Sequence, residues 1–145
     1  MAEWSLDLTE YARKKQIEIK EVRKAYAFAL YSSIVKKTPV DTGRARGNWN
    51  VSVGSEDTST SETTQQKYKS KESIPTPNGD ESIFISNNLD YIEKLEYGGY
   101  PNPPKGGSGK TVNGFSKQAP NGMVGVTLAN NENIFNAAVR SVRGE

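Results

Sequence analysis

The sequence contains no cysteine and no histidine, and these two absences exclude several kinds of chemistry. Without cysteine there is no disulfide, thiolate nucleophile, zinc finger or iron–sulfur cluster. Without histidine there is no Ser-His-Asp or Cys-His arrangement and no histidine-ligated metal. Carboxylate or phosphate chemistry remains, but no two acidic residues combine suitable spacing with a buried setting. We therefore expect no enzyme activity, no cofactor and no metal site.

Long apolar runs are also missing, and the apolar content is low. No segment approaches the roughly 18 consecutive apolar residues that span a bilayer. The first residues lack the charged and then apolar pattern of a signal peptide, so we expect synthesis in a cytoplasm and no membrane partner. Leu, Ile, Val and Phe number 28 of the 145 residues. This predicts a single domain over residues 1–145, with a thin core that gains burial from partner subunits.

Charge is unevenly distributed, although 19 basic and 17 acidic residues nearly cancel. Residues 1–50 carry a net charge of +4, residues 51–100 a net −5 and residues 101–145 a net +3. Segments of opposite sign could form complementary surfaces for head-to-tail contact between subunits. The alternative is a solvated surface with chance clustering, and the sequence does not separate the two.

Residues 1–37 are predicted to form one long helix, with Lys36 and Lys37 in its last turn before Pro39. Such a helix is longer than a thin core covers, so part of it is expected to pack on a neighbouring subunit. Apart from Lys15, which breaks the row, apolar or small residues recur at steps of three and four and predict one packing stripe: Leu8, Ala12, Ile19, Val22, Tyr26, Ala29 and Ser33.

The rest of the chain predicts a small sheet and two shorter helices. The fold class is therefore α+β, in which the long N-terminal helix packs on a small antiparallel sheet, with a short middle helix and a C-terminal helix. In chain order, the predicted elements are a strand over residues 48–54, a strand over 82–86, a helix over 89–97 capped by Asn88, a strand over 122–128 and a helix over 130–143.

Two irregular segments interrupt these elements. Thirteen of the 26 residues at 55–80 are Ser, Thr, Asn or Gln, which predicts a mobile loop or arm that becomes ordered on assembly. A Gly/Pro loop covers residues 98–111. The candidate partner contacts in these two segments are Tyr68, Ile74, Tyr100, Lys105 and Lys110.

A phosphate-binding loop is suggested by residues 105–111, but its context does not fit. Pro104 stands where the first glycine of the motif belongs, and no central strand precedes it. Basic residues along the first helix alternate with acidic residues three and four positions away, which is typical of a solvated, ion-paired face. Non-specific contact with nucleic-acid phosphates remains an alternative for that face.

The tripeptide Asp41-Thr42-Gly43 matches the active-site sequence of aspartic proteases, but its setting argues against catalysis. Those enzymes hold two aspartates that share a proton in a buried site. Arg44 and Arg46 follow directly, and their charges would favour two ionised carboxylates. The alternative is a turn in which Asp41 bonds the backbone ahead and Gly43 adopts a left-handed conformation.

One segment closes the long helix and opens the first strand: Lys37-Thr38-Pro39-Val40-Asp41-Thr42-Gly43-Arg44-Ala45-Arg46-Gly47-Asn48-Trp49. This first phrase resembles the tail-completion (neck, head–tail joining) proteins of long-tailed bacteriophages, the minor tail protein Z-like family. Members of that family resemble one another in a helix that ends in T-P-V-D-T-G and often continues toward N-W. Two later phrases fit in the same order: a second, Tyr91-Ile92-Glu93-Lys94-Leu95-Glu96-Tyr97-Gly98, and a third, Gln118-Ala119-Pro120-Asn121-Gly122-Met123-Val124.

The resemblance implies a virion structural protein of the phage neck, made in the host cytoplasm. Identical subunits would form a hexameric ring that joins the head-completion proteins to the tail. Other neck and tail proteins would be its partners, and genomic DNA would pass through the channel without specific binding. The first phrase itself reads as a structural turn that stops the helix and anchors the strand, through Thr38, Pro39, Val40, Asp41, Thr42, Gly43 and Trp49.

Two alternative functions remain open at this point. One is a tail-terminator protein of the same assembly, which amino-acid composition does not separate from a tail-completion protein. A small basic nucleic-acid-binding protein belongs to a different class, and it predicts tight, salt-sensitive binding of duplex DNA.

Overall fold

A computed structural model describes residues 2–40, 43–99, 111–112 and 114–144, and its mixed helical and sheet architecture confirms the predicted fold class. The first helix, α1, has 36 residues and is about 54 Å long at 1.5 Å per residue. In chain order the elements are α1 (Ala2–Lys37), α2 (Arg44–Gly47), β1 (Asn50–Val53), a 3-10 turn (Lys71–Ser73), β2 (Ile83–Ser86), α3 (Ile92–Tyr97), β3 (Thr111–Val112), β4 (Phe115–Ser116), α4 (Val124–Ala129) and α5 (Asn131–Arg143).

The core lies against the C-terminal half of α1. Ala27, Tyr31, Ile34 and Val35 are buried there at the three- and four-residue spacing of one helix face. The predicted stripe is wrong at Ile19, which is 59% exposed. The position of the sheet and of α5 decides which face of α1 is buried, and periodicity alone does not contain that information.

Strands β1 and β2 form an antiparallel pair in which Val51 faces Ile85 and Val53 faces Ile83. Strand β1 was predicted from its alternating pattern and β2 from the apolar run at Ile83, Phe84 and Ile85, and each is slightly shorter than expected. Val51 is buried, and both isoleucines pack against the core. The alternate residues of both strands point to the opposite face of this sheet.

Helix α5, predicted over residues 130–143, packs antiparallel on α1. Phe135 meets Tyr26 edge-on with ring centroids 5.3 Å apart. Near the end of α5, Arg143 donates to Glu18 at 2.9 Å. This hydrogen bond, and then one from Lys15, holds the pKa of Glu18 below its ordinary value. Helix α1 continues for 16 residues, about 24 Å, on the N-terminal side of Glu18.

The third predicted strand, over residues 122–128, is wrong, because this segment forms helix α4. The carboxylate of Glu96 accepts hydrogen bonds from the N–H groups of Met123 at 2.9 Å, Val124 at 2.7 Å and Gly125 at 3.0 Å. These are N–H groups that a helix leaves without a partner inside itself. A distant carboxylate therefore overrides the strand preference of the two valines in the segment.

The middle helix is shorter than predicted, and no side chain caps its first turn. Instead of Asn88, the Asn87 side chain accepts the N–H of Leu89 at 3.1 Å. The predicted apolar face is confirmed, since Tyr91, Ile92 and Leu95 all pack in or against the core. The short β3–β4 hairpin was not predicted, because it overlaps the end of the Gly/Pro loop. Among the described residues, no helix is both long and apolar enough to cross a membrane.

We expect the substitution Glu96→Ala to destabilise the protein by about 1–2 kcal/mol, the usual cost of removing a helix cap. The variant leaves three N–H groups at the start of α4 without their acceptor. Urea unfolding measures the loss. Glu93→Ala is the matched control, because Glu93 is an exposed glutamate of the same helix. Equal stability of the two variants would contradict the capping role.

Candidate functional site

The first phrase builds a corner between α1 and β1. The Thr38 hydroxyl donates to the Ile34 carbonyl at 2.7 Å and accepts from the Trp49 indole N–H at 2.9 Å. Thr38 and Trp49 are both buried, so the two groups satisfy each other away from water. This arrangement places the Trp49 ring in the core, where the sequence predicted it.

Arg46 closes the exposed side of the same corner. Its Nε donates to the Thr38 carbonyl at 2.6 Å and its Nη2 donates to the Lys36 carbonyl at 3.0 Å. Carbonyl groups at the end of a helix lack partners within the helix, and a cation suits that end of the helix dipole. Sequence reasoning used Arg46 only to argue against a protease, and it missed this role.

The remaining predicted turn residues lie around this corner. Pro39 is buried and Val40 is exposed. Gly43 has a φ of +78°, the left-handed conformation that was predicted. A side-chain carbon at Gly43 would lie 2.8 Å from the Thr64 carbonyl oxygen, so other residues are also excluded by space. Asp41 and Thr42 lie outside the described residues.

The three phrases of the resemblance contact one another in space. The N–H of Val40 in the first phrase donates to the Gln118 side chain of the third at 2.9 Å. Glu96 of the second phrase accepts from Met123 and Val124 of the third. Segments that are separated by tens of residues therefore meet in one part of the fold.

The polar segment at residues 55–80, which we call the arm, lies along the outer face of β1. Two buried asparagines hold its first part. Asn48 donates to the Ser61 carbonyl at 3.0 Å and accepts the Ser61 N–H at 2.8 Å. Asn50 donates to the carbonyls of Asp57 at 3.3 Å and Ser59 at 3.1 Å. The side-chain amides thus replace the hydrogen bonds that a neighbouring strand would make.

The arm also carries its own local turn and a close crossing. The Asp57 carboxylate accepts from the Ser59 hydroxyl at 2.6 Å and from its N–H at 2.9 Å, and these bonds lower the pKa of Asp57. At Gly47, an added side-chain carbon would lie 2.4 Å from the Thr63 carbonyl oxygen. Only glycine allows the arm to pass so close to α2.

A pair of tyrosines anchors the middle of the arm. The buried Tyr31 hydroxyl accepts the N–H groups of Lys67 at 3.2 Å and Tyr68 at 3.3 Å. The two tyrosine rings meet edge-on with centroids 5.1 Å apart. Burial raises the pKa of Tyr31, so its neutral form is the one that binds the arm.

The two candidate partner contacts in the arm, Tyr68 and Ile74, thus contact the core of this chain. Tyr68 is partly buried, and Ile74 is only 2% exposed within the core. Lys71 pairs with Glu21 of α1 at 3.1 Å, which adds a contact on the surface. Tyr100, Lys105 and Lys110 lie outside the described residues. Mobility of the arm stays a prediction, whereas its inner contacts are part of the fold.

A polar depression of about 240 Å³ lies where the arm meets α2 and the start of α3. Arg44 at its wall donates to the Ser61 carbonyl at 3.3 Å and pairs with Glu62 at 3.3 Å. Within the described part of the chain, no three metal-ligating side chains converge on one point. The residues that line the depression are Arg44, Thr58, Thr60, Asn88, Leu89, Asp90 and Tyr91.

Sequence reasoning missed Asn48 and Asn50, although one signal pointed to them. Both asparagines flank Trp49 in a strand pattern, where asparagine is unfavourable. A run of Ser and Thr that cannot form a core follows shortly afterwards. Asparagine in a strand beside such a run indicates that side-chain amides bind the polar backbone.

We expect Thr38→Val to destabilise the protein by about 1–3 kcal/mol, because it leaves the buried Trp49 N–H without an acceptor. The two side chains have nearly the same shape, so packing changes little. Thr58→Val makes the same chemical change at an exposed site and should have a small effect. Urea unfolding of both variants gives the comparison, and equal losses would contradict the role of Thr38.

We expect Asn50→Ala to loosen the arm, because the Asp57 and Ser59 carbonyls lose their donor. The cost is about 1–3 kcal/mol for the unsatisfied groups. Trypsin should then cut more rapidly after Lys67 and Lys69. Ser52→Ala on the same strand is the control, since the Ser52 hydroxyl bonds to the carbonyl of Ser55, the first residue of the arm, twelve residues before Lys67. An unchanged rate of cleavage in Asn50→Ala would contradict the assignment.

No protein-family model, curated protein or solved structure matches this chain. The family resemblance therefore depends on the three phrases.

Proposed function

We propose that the protein is a virion structural protein of a phage neck, where identical copies form a ring that joins the head-completion proteins to the tail. The observation that carries this proposal is the contact among the three phrases. Val40 bonds to Gln118, and Glu96 caps the segment that begins with Met123. If the three phrases belong to one shared fold, contacts of this kind between them are expected.

The chemistry of the first phrase supports the same proposal. Thr38, Arg46 and Trp49 satisfy one another and the end of α1. Members of a family share corner residues of this kind because they share a fold. No catalytic role is needed to explain them. The first phrase thus supports a likeness of architecture, from which the function in the neck is inferred.

Features of the surface support assembly into a larger particle. Five large apolar side chains are exposed on the described surface, among them Tyr97 at 79%. Aromatic and apolar residues of this kind are enriched in the cores of protein interfaces. Charge of opposite sign in successive segments suits head-to-tail contact between copies. The exposed apolar side chains are Ile19, Val40, Tyr97, Leu128 and Phe135.

The mass of the purified protein in solution tests this proposal. We expect light scattering to give a particle of six 15.9 kDa chains, about 95 kDa, and negative-stain images of the same fraction to show a central hole. A monomer at all concentrations would contradict the self-assembling ring. Tight binding of duplex DNA that weakens with salt would instead favour the nucleic-acid-binding alternative.

A ring alone does not separate tail completion from tail termination. Mixing the purified ring with DNA-filled heads and with separate tails distinguishes them by which particle it joins. We expect attachment to heads that carry their completion proteins. Attachment to tails alone would favour the terminator.

A further inference from the structure

The tripeptide Pro-Asn-Gly occurs twice in the chain, at residues 77–79 and at residues 120–122. An asparagine that precedes glycine can lose its side-chain amide without an enzyme. Glycine has no side chain to shield its backbone nitrogen, which can therefore reach the side-chain carbonyl carbon of the asparagine. Because the two tripeptides are identical, a difference between them that exists only in the folded protein comes from the structure around them.

The first tripeptide ends in an exposed turn. The Glu81 N–H donates to the Asn78 carbonyl at 3.2 Å, which closes the turn. Within the described part of the chain, no hydrogen bond holds the Asn78 side chain or the Gly79 N–H. A side-chain carbon added at Gly79 would meet no atom within 4 Å, so the space around this glycine is open. The two groups that would react are therefore free to approach each other.

The second tripeptide is held by its surroundings. The Gly122 N–H donates to the Ala119 carbonyl at 3.1 Å, and Gly122 is buried. A side-chain carbon at Gly122 would lie 2.5 Å from the Glu96 carbonyl oxygen. Asn121 is exposed, as Asn78 is, so the two sites differ at the glycine nitrogen. At Gly122 this nitrogen is both bonded and crowded.

We propose that Asn78 is a site of spontaneous deamidation in the folded protein and that Asn121 is protected. The Gly79 nitrogen gives up its proton and forms a bond to the side-chain carbonyl carbon of Asn78. The bond from that carbon to the side-chain nitrogen breaks, and ammonia leaves with the proton. Water then opens the resulting succinimide ring at either carbonyl and gives aspartate or isoaspartate. This reaction does not depend on the proposed function in the neck.

The product changes a turn that is bound to α1. The Arg23 guanidinium donates to the Gly79 carbonyl at 3.0 Å and also to the Glu81 carbonyl. Isoaspartate adds a carbon atom to the main chain at residue 78, so the ring that the Glu81 N–H closes no longer has the length of a β-turn. The new carboxylate also competes with the two carbonyls for the guanidinium. Deamidation thus weakens the link between α1 and the end of the arm.

Mass spectrometry of the folded protein, incubated in mildly acidic and in mildly alkaline buffer, tests the site. Peptic peptides made in acid, where the reaction is slow, locate each conversion by a gain of about 1 Da. We expect Asn78 to convert about tenfold faster than Asn121 or more, because the structure around Gly122 must first open locally. Conversion at Asn78 should be faster in alkaline buffer, since loss of the Gly79 proton starts the reaction.

The same protein unfolded in urea is the matched control, because both tripeptides are then free of structure. We expect the rates at Asn78 and Asn121 to agree there within about a factor of three, the spread left by their different neighbours and by residual structure. Equal rates in the folded protein, or a faster rate at Asn121, would overturn the proposal. A tenfold difference that persists in urea would also overturn it, since the fold would not be its cause.

Asn78→Gln tests the effect on the turn, because glutamine forms the corresponding larger ring far more slowly. Both proteins are incubated in alkaline buffer, and hydrogen exchange of the Glu81 amide is then compared. We expect faster exchange in the deamidated wild-type protein than in Asn78→Gln. If the two proteins exchange at the same rate, the weakened link to α1 is wrong and the deamidation site stands.

Discussion

The buried hydrogen bond between Thr38 and Trp49 is the contact on which the rest of the structure depends. It fixes the end of α1 against the start of β1, and so sets how the sheet lies on the helix. The same threonine hydroxyl also donates to the Ile34 carbonyl, so the hydroxyl and the indole N–H are both bonded within the core. Arg46 then binds the last carbonyls of the helix from the outside. In this way the chain changes direction sharply at a corner that contains few apolar residues.

Buried polar side chains provide much of the stabilisation that apolar burial provides in other domains. Asn48 and Asn50 bind the backbone of the arm, and Tyr31 binds it further along. Each of these groups is buried, so its hydrogen bonds face little competition from water. A segment without apolar side chains at its start can therefore lie against the domain. It also means that the arm is held by a few specific bonds, which single substitutions can remove.

The proposed function in the neck is inferred from residues whose contacts are structural. Contacts among the phrases join the corner, the middle helix and the start of α4, for example through Glu96. None of these contacts requires a reaction to explain it. Two of the five exposed apolar side chains on the described surface, Val40 and Tyr97, belong to the phrases, and the other three lie on α1, α4 and α5.

The sequence by itself determined the elements whose signals are local. The long helix, both strands of the main sheet, the apolar face of α3 and the last helix follow from periodicity, helix-stop residues, alternation and one short apolar run. The buried Trp49 and the left-handed Gly43 also follow from their neighbours in the chain. Tertiary structure alone decided the rest, because the deciding partners are distant in sequence. Glu96 turns a predicted strand into α4, α5 and the sheet choose the buried face of α1, and buried asparagines hold an arm that has no pattern of its own.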